Sequence, residues 1–169
     1  LTALKDLDTH FKGFLYAGLM IKNGEPFLIE YNVRMGDPEC QTILPRLKTN
    51  FFEIIEATLD KKLNEINIDW CNKKSLSIVQ CSNGYPQSYE KEQEIKNLDK
   101  IILKKNEFIF HAGTKNDNLK IISNGGRVLN FVILSEEFKK SRDTALNLIN
   151  QINWSNGFFR KDIGFRVID

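Results

Sequence analysis

The chain has 169 residues, with 24 Lys and Arg against 22 Asp and Glu, and is 41% hydrophobic and 27% charged. A chain of this length buries roughly 70% of its unfolded surface, enough for one core or two small ones, and its composition excludes collagen-like, low-complexity and disordered classes. The net charge of +2 is spread over scattered basic pairs such as Lys104-Lys105, Lys139-Lys140 and Arg160-Lys161, which argues against a nucleic-acid arm.

In chain order, Leu1, Leu4, Leu7 and Phe11 recur at helical spacing with no initiating Met, so the sequence is expected to open inside a helix and to be a piece of something longer. Residues 14–21 and 26–33 read as two strands, and Asn23-Gly24 between them signals a hairpin because both turn residues tolerate positive φ. A helical stretch follows in two parts, 39–44 and 50–59, broken by Pro45, with Asn50 and Glu53 spaced as a capping box. The composition then turns polar, and a boundary near Leu63 divides the chain into domains 1–62 and 63–169. Beyond it, 75–82 reads as a strand, Asn83-Gly84-Tyr85-Pro86 as a turn, and 101–103, 108–111 and 119–122 as further short strands. Asn124-Gly125-Gly126 turns the chain into a strand over 127–134. Ser135 is placed to cap a helix running to about Ile152, with Glu136 and Glu137 in its first turn, and 165–168 reads as a last strand. No apolar run approaches the roughly 20 residues that span a bilayer. The three cysteines form no C-x-x-C pair, so a cytoplasmic protein with no membrane or nucleic-acid partner is expected.

The densest polar cluster in an apolar setting runs from Glu30 to Glu39. Strand side chains alternate faces, so Glu30, Asn32 and Arg34 should share one surface while Tyr31 and Val33 take the other. A carboxylate, an amide oxygen and a guanidinium on one surface suit a magnesium–polyphosphate site, because Mg²⁺ takes hard oxygen ligands and Arg grips phosphate in a bidentate fork. A solvated, one-sided strand carrying a Glu–Arg pair shows the same pattern. Gly36-Asp37-Pro38-Glu39 reads as a helix start facing an anion or as a plain cap. Gly125-Gly126-Arg127 reads as a backbone that lets a ligand come close, followed by a cation, or as a glycine hairpin with an exposed Arg. His111, after an apolar run, is a hydrogen-bonded structural residue or an acid–base group. No Ser/His/Asp arrangement, P-loop or zinc spacing is present.

Phe14-Leu15-Tyr16-Ala17-Gly18-Leu19-Met20, then Leu28-Ile29-Glu30-Tyr31-Asn32-Val33-Arg34-Met35-Gly36-Asp37-Pro38-Glu39-Cys40-Gln41 and Leu44-Pro45-Arg46-Leu47, resemble the C-terminal part of the ATP-grasp region of the phosphoribosylamine–glycine ligase (glycinamide ribonucleotide synthetase) family. Gly84-Tyr85-Pro86, His111-Ala112-Gly113-Thr114, Gly125-Gly126-Arg127-Val128-Leu129 and Phe159-Arg160-Lys161-Asp162-Ile163-Gly164 look like the C-terminal domain of the same family, in the same order. The resemblance covers essentially the whole chain. It implies an α+β fold: the C-terminal portion of an ATP-grasp domain, made of antiparallel strands with helices, then a small, mainly β domain with one long helix of rudimentary hybrid type.

The resemblance further implies a ligase of purine biosynthesis that uses ATP to join glycine to 5-phosphoribosylamine through glycyl phosphate. Carried onto this sequence, Glu30 and Asn32 would hold Mg²⁺ or Mn²⁺ bridging the ATP phosphates, and Arg34 would contact the transferred phosphate as the catalytic residue. Met20 and Ile29 match positions that contact adenine. Asp37, Gly125, Gly126 and Arg127 are assigned to glycine or phosphoribosylamine, Arg127 being a candidate for the ribose 5-phosphate. Many ATP-grasp relatives place another carboxylate twelve residues before the glutamate, where this chain has Gly18, so fewer protein ligands to metal are expected. The N-terminal and lid domains of such an enzyme are missing from this chain, and the 169 residues alone are expected to be inactive. Two other readings stand beside this one: a non-catalytic binding module derived from an ATP-grasp enzyme, and an ATP-grasp ligase acting on another carboxylic acid.

Overall fold

The computed structural model describes Asp6 and residues 11–168, so the opening helix expected on Leu1, Leu4 and Leu7 lies outside the described residues. The chain forms an α+β structure of antiparallel strands and few helices, separated into two compact units. One unit holds the described residues through Cys40 together with Leu47–Cys71; the other holds Gln41–Arg46 and the chain from Asn72 onward. The division after Cys71 falls later than the border expected near Leu63, because the polar stretch folds back on the first unit. Leu63–Glu65 makes a 3-10 turn, Trp70 bridges to Leu47, and Lys48 N donates to Asp69 O at 2.9 Å.

In the first unit, β1 (Tyr16–Lys22) and β2 (Glu25–Asn32) pair antiparallel around Asn23-Gly24, whose φ values of 54° and 82° are what the hairpin turn demands. The register slips once: Gly18 pairs with Glu30 but Leu19 with Leu28, leaving Ile29 as the extra residue of a bulge. Helix α1 (Glu39–Ile43), whose residues from Gln41 onward belong to the second unit, gives way to a 3-10 turn over Leu44–Arg46, where Pro45 lacks the N–H an α-helix would need. Helix α2 (Phe51–Leu59) starts where the Asn50 side chain accepts from Phe52 N at 3.0 Å, and it buries Ile54 and Ala57.

The second unit is built on a four-stranded antiparallel sheet. In sequence its strands are β3 (Lys74–Ser82), β4 (Glu107–His111), β7 (Arg127–Ser135) and β8 (Gly157–Phe158), and in space they run β4-β7-β3-β8. Helix α3 (Phe138–Ile149) lays Ala145, Leu148 and Ile149 against Leu76, Ile78, Leu129, Phe131 and Ile133, and these residues are the centre of the core. Strand β7 is buried along both faces from Val128 onward, which is why its sequence is a continuous apolar run interrupted only by Asn130. A separate hairpin joins β5 (Thr114–Asp117) to β6 (Lys120–Ser123).

Four local expectations give way here. Residues 101–103 follow a 3-10 turn at Leu98–Lys100 and are irregular rather than a strand. Residues 165–168 are not a strand either: Gly164, at φ 83°, leads into a 3-10 turn over Phe165–Val167. Strand β5 is present although its polar residues carried no alternation. Ser135 ends β7 instead of capping α3, whose N-cap is Glu137. The Ser135 hydroxyl is engaged elsewhere, 2.6 Å from Glu137 O and 2.8 Å from Ser141 Oγ.

Candidate functional site

The pleat of β2 sends Glu30 and Asn32 to one face, where Asn32 Nδ2 donates to Glu30 Oε1 at 2.9 Å. The ladder sets Gly18 opposite Glu30 and Tyr16 opposite Asn32, so Tyr16, Gly18 and Met20 share that face. Neither Glu30 Oε2 nor Asn32 Oδ1 takes part in the bond between the two side chains. A carboxylate oxygen and an amide oxygen are therefore presented as hard donors, the chemistry that Mg²⁺ or Mn²⁺ selects. Among the described residues no three His, Cys, Asp or Glu side chains gather as metal ligands, so an ion here would draw most of its shell from phosphate and water oxygens.

Gly18 explains itself in this geometry. A Cβ built on it would lie 3.1 Å from Glu30 Cγ, so the missing side chain is the space the Glu30 stem occupies. Met20 is exposed on the same face, and Ile29 is exposed at the bulge, where pairing no longer fixes its direction. Arg34 lies beyond the strand: β2 ends at Asn32, so the alternation stops before reaching it. Arg34 is exposed in the bend beyond, and its Nη1 donates to Met35 O at 2.9 Å. Asp37 and Pro38, joined by a cis peptide, form a turn ahead of α1, a helix of only five residues.

Two residues outside the sequence-derived set join this face. Tyr16 Oη donates to Glu39 Oε1 at 3.1 Å. That bond pushes the Tyr16 phenol above its ordinary range, and burial and the negative charges of Glu39 and Glu30 push the same way, so Tyr16 stays a protonated donor. The signal available in the sequence was a phenol standing on the Gly18–Met20 parity of an otherwise apolar strand. Its partner, twenty-odd positions away, required the fold.

In the second unit, Gly125 and Gly126 are closely packed. Ser82 donates from N to Gly126 O and from Oγ to Gly125 O, both at 2.8 Å. A Cβ on Gly126 would run into the Tyr85 ring, and one on Gly125 would lie 2.9 Å from Gly113 Cα. Neither glycine has positive φ, so their smallness serves close contact with protein and not an unusual turn. Arg127 follows, half-buried, as the first residue of β7, with its carbonyl accepting from Gly113 N at 3.0 Å. His111 is exposed, and its Nδ1 lies 2.9 Å from Thr114 Oγ1, the arrangement of a hydrogen-bonded structural histidine.

Comparison with known proteins accounts for both units. The family model for the phosphoribosylglycinamide synthetase C domain matches residues 75–166, and that for the ATP-grasp (A) domain of the same synthetase matches residues 1–40. Phosphoribosylamine–glycine ligase of Caldanaerobacter subterraneus subsp. tengcongensis is 44% identical over 161 residues, covering 95% of this chain and 38% of the relative. The ligase of that name from Haemophilus influenzae is 45% identical, covering 94% and 37%, and the chloroplastic one from Arabidopsis thaliana is 42% identical, covering 94% and 30%. The crystal structure of the phosphoribosylamine–glycine ligase of Thermotoga maritima superposes with a TM-score of 0.75 at 28% identity, over 96% of this chain and 40% of that one. The chain thus spans well under half the length of the relatives it matches. With more than half of its residues matched by the C-domain model and the hairpin falling in the A-domain match, the chain belongs to the phosphoribosylglycinamide synthetase family.

Proposed function

We propose that this chain is the C-terminal part of a phosphoribosylamine–glycine ligase, which joins glycine to 5-phosphoribosylamine at the expense of ATP. The observation that carries the reading is the Glu30–Asn32 pair on one face of the hairpin, its members 2.9 Å apart. A divalent cation, Mg²⁺ or Mn²⁺, would be held by Glu30 and Asn32, and it would supply charge neutralisation on the ATP phosphates as the phosphoryl group moves. Glu30 provides the anionic ligand. Asn32 both ligates and, through its amide N–H, fixes the Glu30 carboxylate. Arg34 supplies a guanidinium to the phosphoryl oxygens, and Met20 and Ile29 supply apolar surface to the adenine ring. In the first step a glycine carboxylate oxygen forms a bond to the γ-phosphorus while the bond to the ADP oxygen breaks. In the second, the amine nitrogen of phosphoribosylamine attacks the acyl carbon, inorganic phosphate leaves, and the nitrogen loses a proton to solvent. Asp37 and, separately, the Gly125-Gly126-Arg127 turn are assigned to glycine or phosphoribosylamine, Arg127 being a candidate partner for the ribose 5-phosphate. A cytoplasmic location goes with three cysteines that form no C-x-x-C pair; no helix among the described residues is long and apolar enough to cross a membrane.

The test is phosphate release by the full-length polypeptide that carries this chain, with each substrate omitted in turn. Turnover should need ATP, glycine and phosphoribosylamine together. Glu30→Gln should lower kcat by about 10²-fold or more, as loss of a ligand that acts on developing charge does. Unchanged turnover in Glu30→Gln would remove the basis of the reading.

A further inference from the structure

We propose that the Tyr16–Glu39 hydrogen bond is a positioning latch that holds the 33–38 segment, and with it Arg34 and Asp37, against the hairpin face that carries Glu30 and Asn32. The proposal rests on the reading of that face given above, and it assigns two residues to which that reading gives no role.

Four observations converge on the latch. Tyr16 is the ladder partner of Asn32, so it is fixed at the point where β2 ends and the 33–38 segment begins. Its hydroxyl reaches Glu39, the first residue of α1, where the same segment ends, at 3.1 Å. One residue of β1 thereby ties both ends of the segment. Gly36 is buried, and a Cβ on it would collide with the Glu39 carboxylate, so the glycine makes the room in which that carboxylate turns towards Tyr16. Cys40 N donates to Gly36 O at 2.9 Å, which sets the first turn of α1 and with it the backbone from which the Glu39 side chain projects.

The physical purpose follows from the segment itself. Arg34 is exposed, and among the described residues its side chain bonds only to the next carbonyl, which leaves its distance from Glu30 to the course of the backbone. Groups that must act together on one phosphoryl oxygen tolerate little misplacement, and a shift of about 1 Å can cost on the order of 10²-fold in rate. A phenol–carboxylate bond closing the segment narrows that distribution without contributing a charge to the reaction.

Three measurements test this. In the full-length polypeptide that carries this chain, amide hydrogen exchange across 33–38 should quicken about fivefold to tenfold in Tyr16→Phe, which removes only the hydroxyl; unchanged exchange overturns the latch whatever the turnover does. In the full-length enzyme, Tyr16→Phe and Glu39→Ala should each lower kcat/KM roughly tenfold. The double variant should be no worse than either single one, and the affinity for Mn²⁺ with nucleotide, read by electron paramagnetic resonance, should stay within about twofold. Glu39→Gln keeps an oxygen that accepts from Tyr16, so it should recover most of what Glu39→Ala loses. A Glu39→Gln variant as damaged as Glu39→Ala would mean that Glu39 acts through its charge and would overturn the proposal. The Glu30→Gln experiment fails or succeeds independently of these outcomes, so loss of the metal-site reading and loss of the latch are distinguishable.

Discussion

Gly18 faces Glu30 across the hairpin ladder, and a methyl group added there would stand 3.1 Å from Glu30 Cγ. That is too close for comfort and too far for a fatal clash, and the obstructed atom belongs to an exposed side chain that can turn away. The backbone has no reason to yield. Gly18→Ala should therefore leave thermal stability unchanged or raise it by up to about 1 kcal/mol, since Gly in a strand is entropically costly. It should nevertheless weaken Mn²⁺ binding to the full-length enzyme several-fold, because Glu30 no longer lies where Asn32 Nδ2 meets it. Gly18→Val should do so more strongly. Gly126 shows the opposite balance: it is buried, and a Cβ on it would run into the body of the half-buried Tyr85 ring, which is not the far end of a flexible chain. Gly126→Ala should destabilise by about 1–3 kcal/mol, measured by urea unfolding, and Tyr85→Ala in the same chain should recover part of that loss. These two glycines look alike in the sequence. Only the identity of what fills the space tells a positioning glycine from a packing one, and that is not written locally.

At the level of elements, what the sequence discloses depends on how local the cause is. The β1–β2 hairpin, with its Asn23-Gly24 turn, and α2, with its Asn50 cap, follow from interactions within a few residues, and both were legible. The same alternation made Glu30 and Asn32 legible as a pair, and it does not extend to Arg34, because strand ends are set by pairing partners, not by pattern. Ser135 looked like a cap because a serine before two glutamates is one. Its hydroxyl instead bonds Ser141 Oγ, a buried group one helical turn into α3. Ser135→Ala should accordingly cost about 1–2 kcal/mol, with Ser141→Ala adding little to it, because loss of the Ser135 hydroxyl already removes the partner of Ser141 Oγ. Strand β5 left no trace because three of its four residues are exposed and polar. Its hairpin with β6 turns through Asn118 and Leu119, at φ 48° and 70°. Both central residues of such a turn must adopt positive φ, and a leucine that is 97% exposed gains nothing in return. Leu119→Gly should raise stability by about 1 kcal/mol, seen as a melting temperature roughly 2–4 °C higher, since no buried contact is lost.

For the molecule as a whole, apolar burial is unevenly divided. The second unit holds the cluster around Phe131, Leu129 and Ile78, each of them essentially inaccessible to water. The β1–β2 hairpin leaves Leu19, Met20, Phe27, Ile29 and Tyr31 more than half exposed, on both of its faces. A lone two-stranded hairpin is marginal in water, and its stability must come from surface packed against it. Local opening in the 169-residue chain should therefore differ sharply between the two sheets. Amides of β3 and β7 should exchange only with global unfolding, while those of β1 and β2 should exchange at least about 10²-fold faster. On the proposed reading the consequence for function is direct, because Glu30 and Asn32 sit on the less protected sheet and a site that keeps opening cannot stay organised around a phosphoryl group. The 169-residue chain should show no phosphate release with ATP, glycine and phosphoribosylamine, and added Mn²⁺ and ATP should leave exchange in β1 and β2 unprotected. In the full-length polypeptide the same amides should become slow and turnover should appear with them. Slow exchange of β1 and β2 in the 169 residues alone would show that the hairpin is stable without further covering, and inactivity would then have to come from missing substrate contacts instead of a loose metal face.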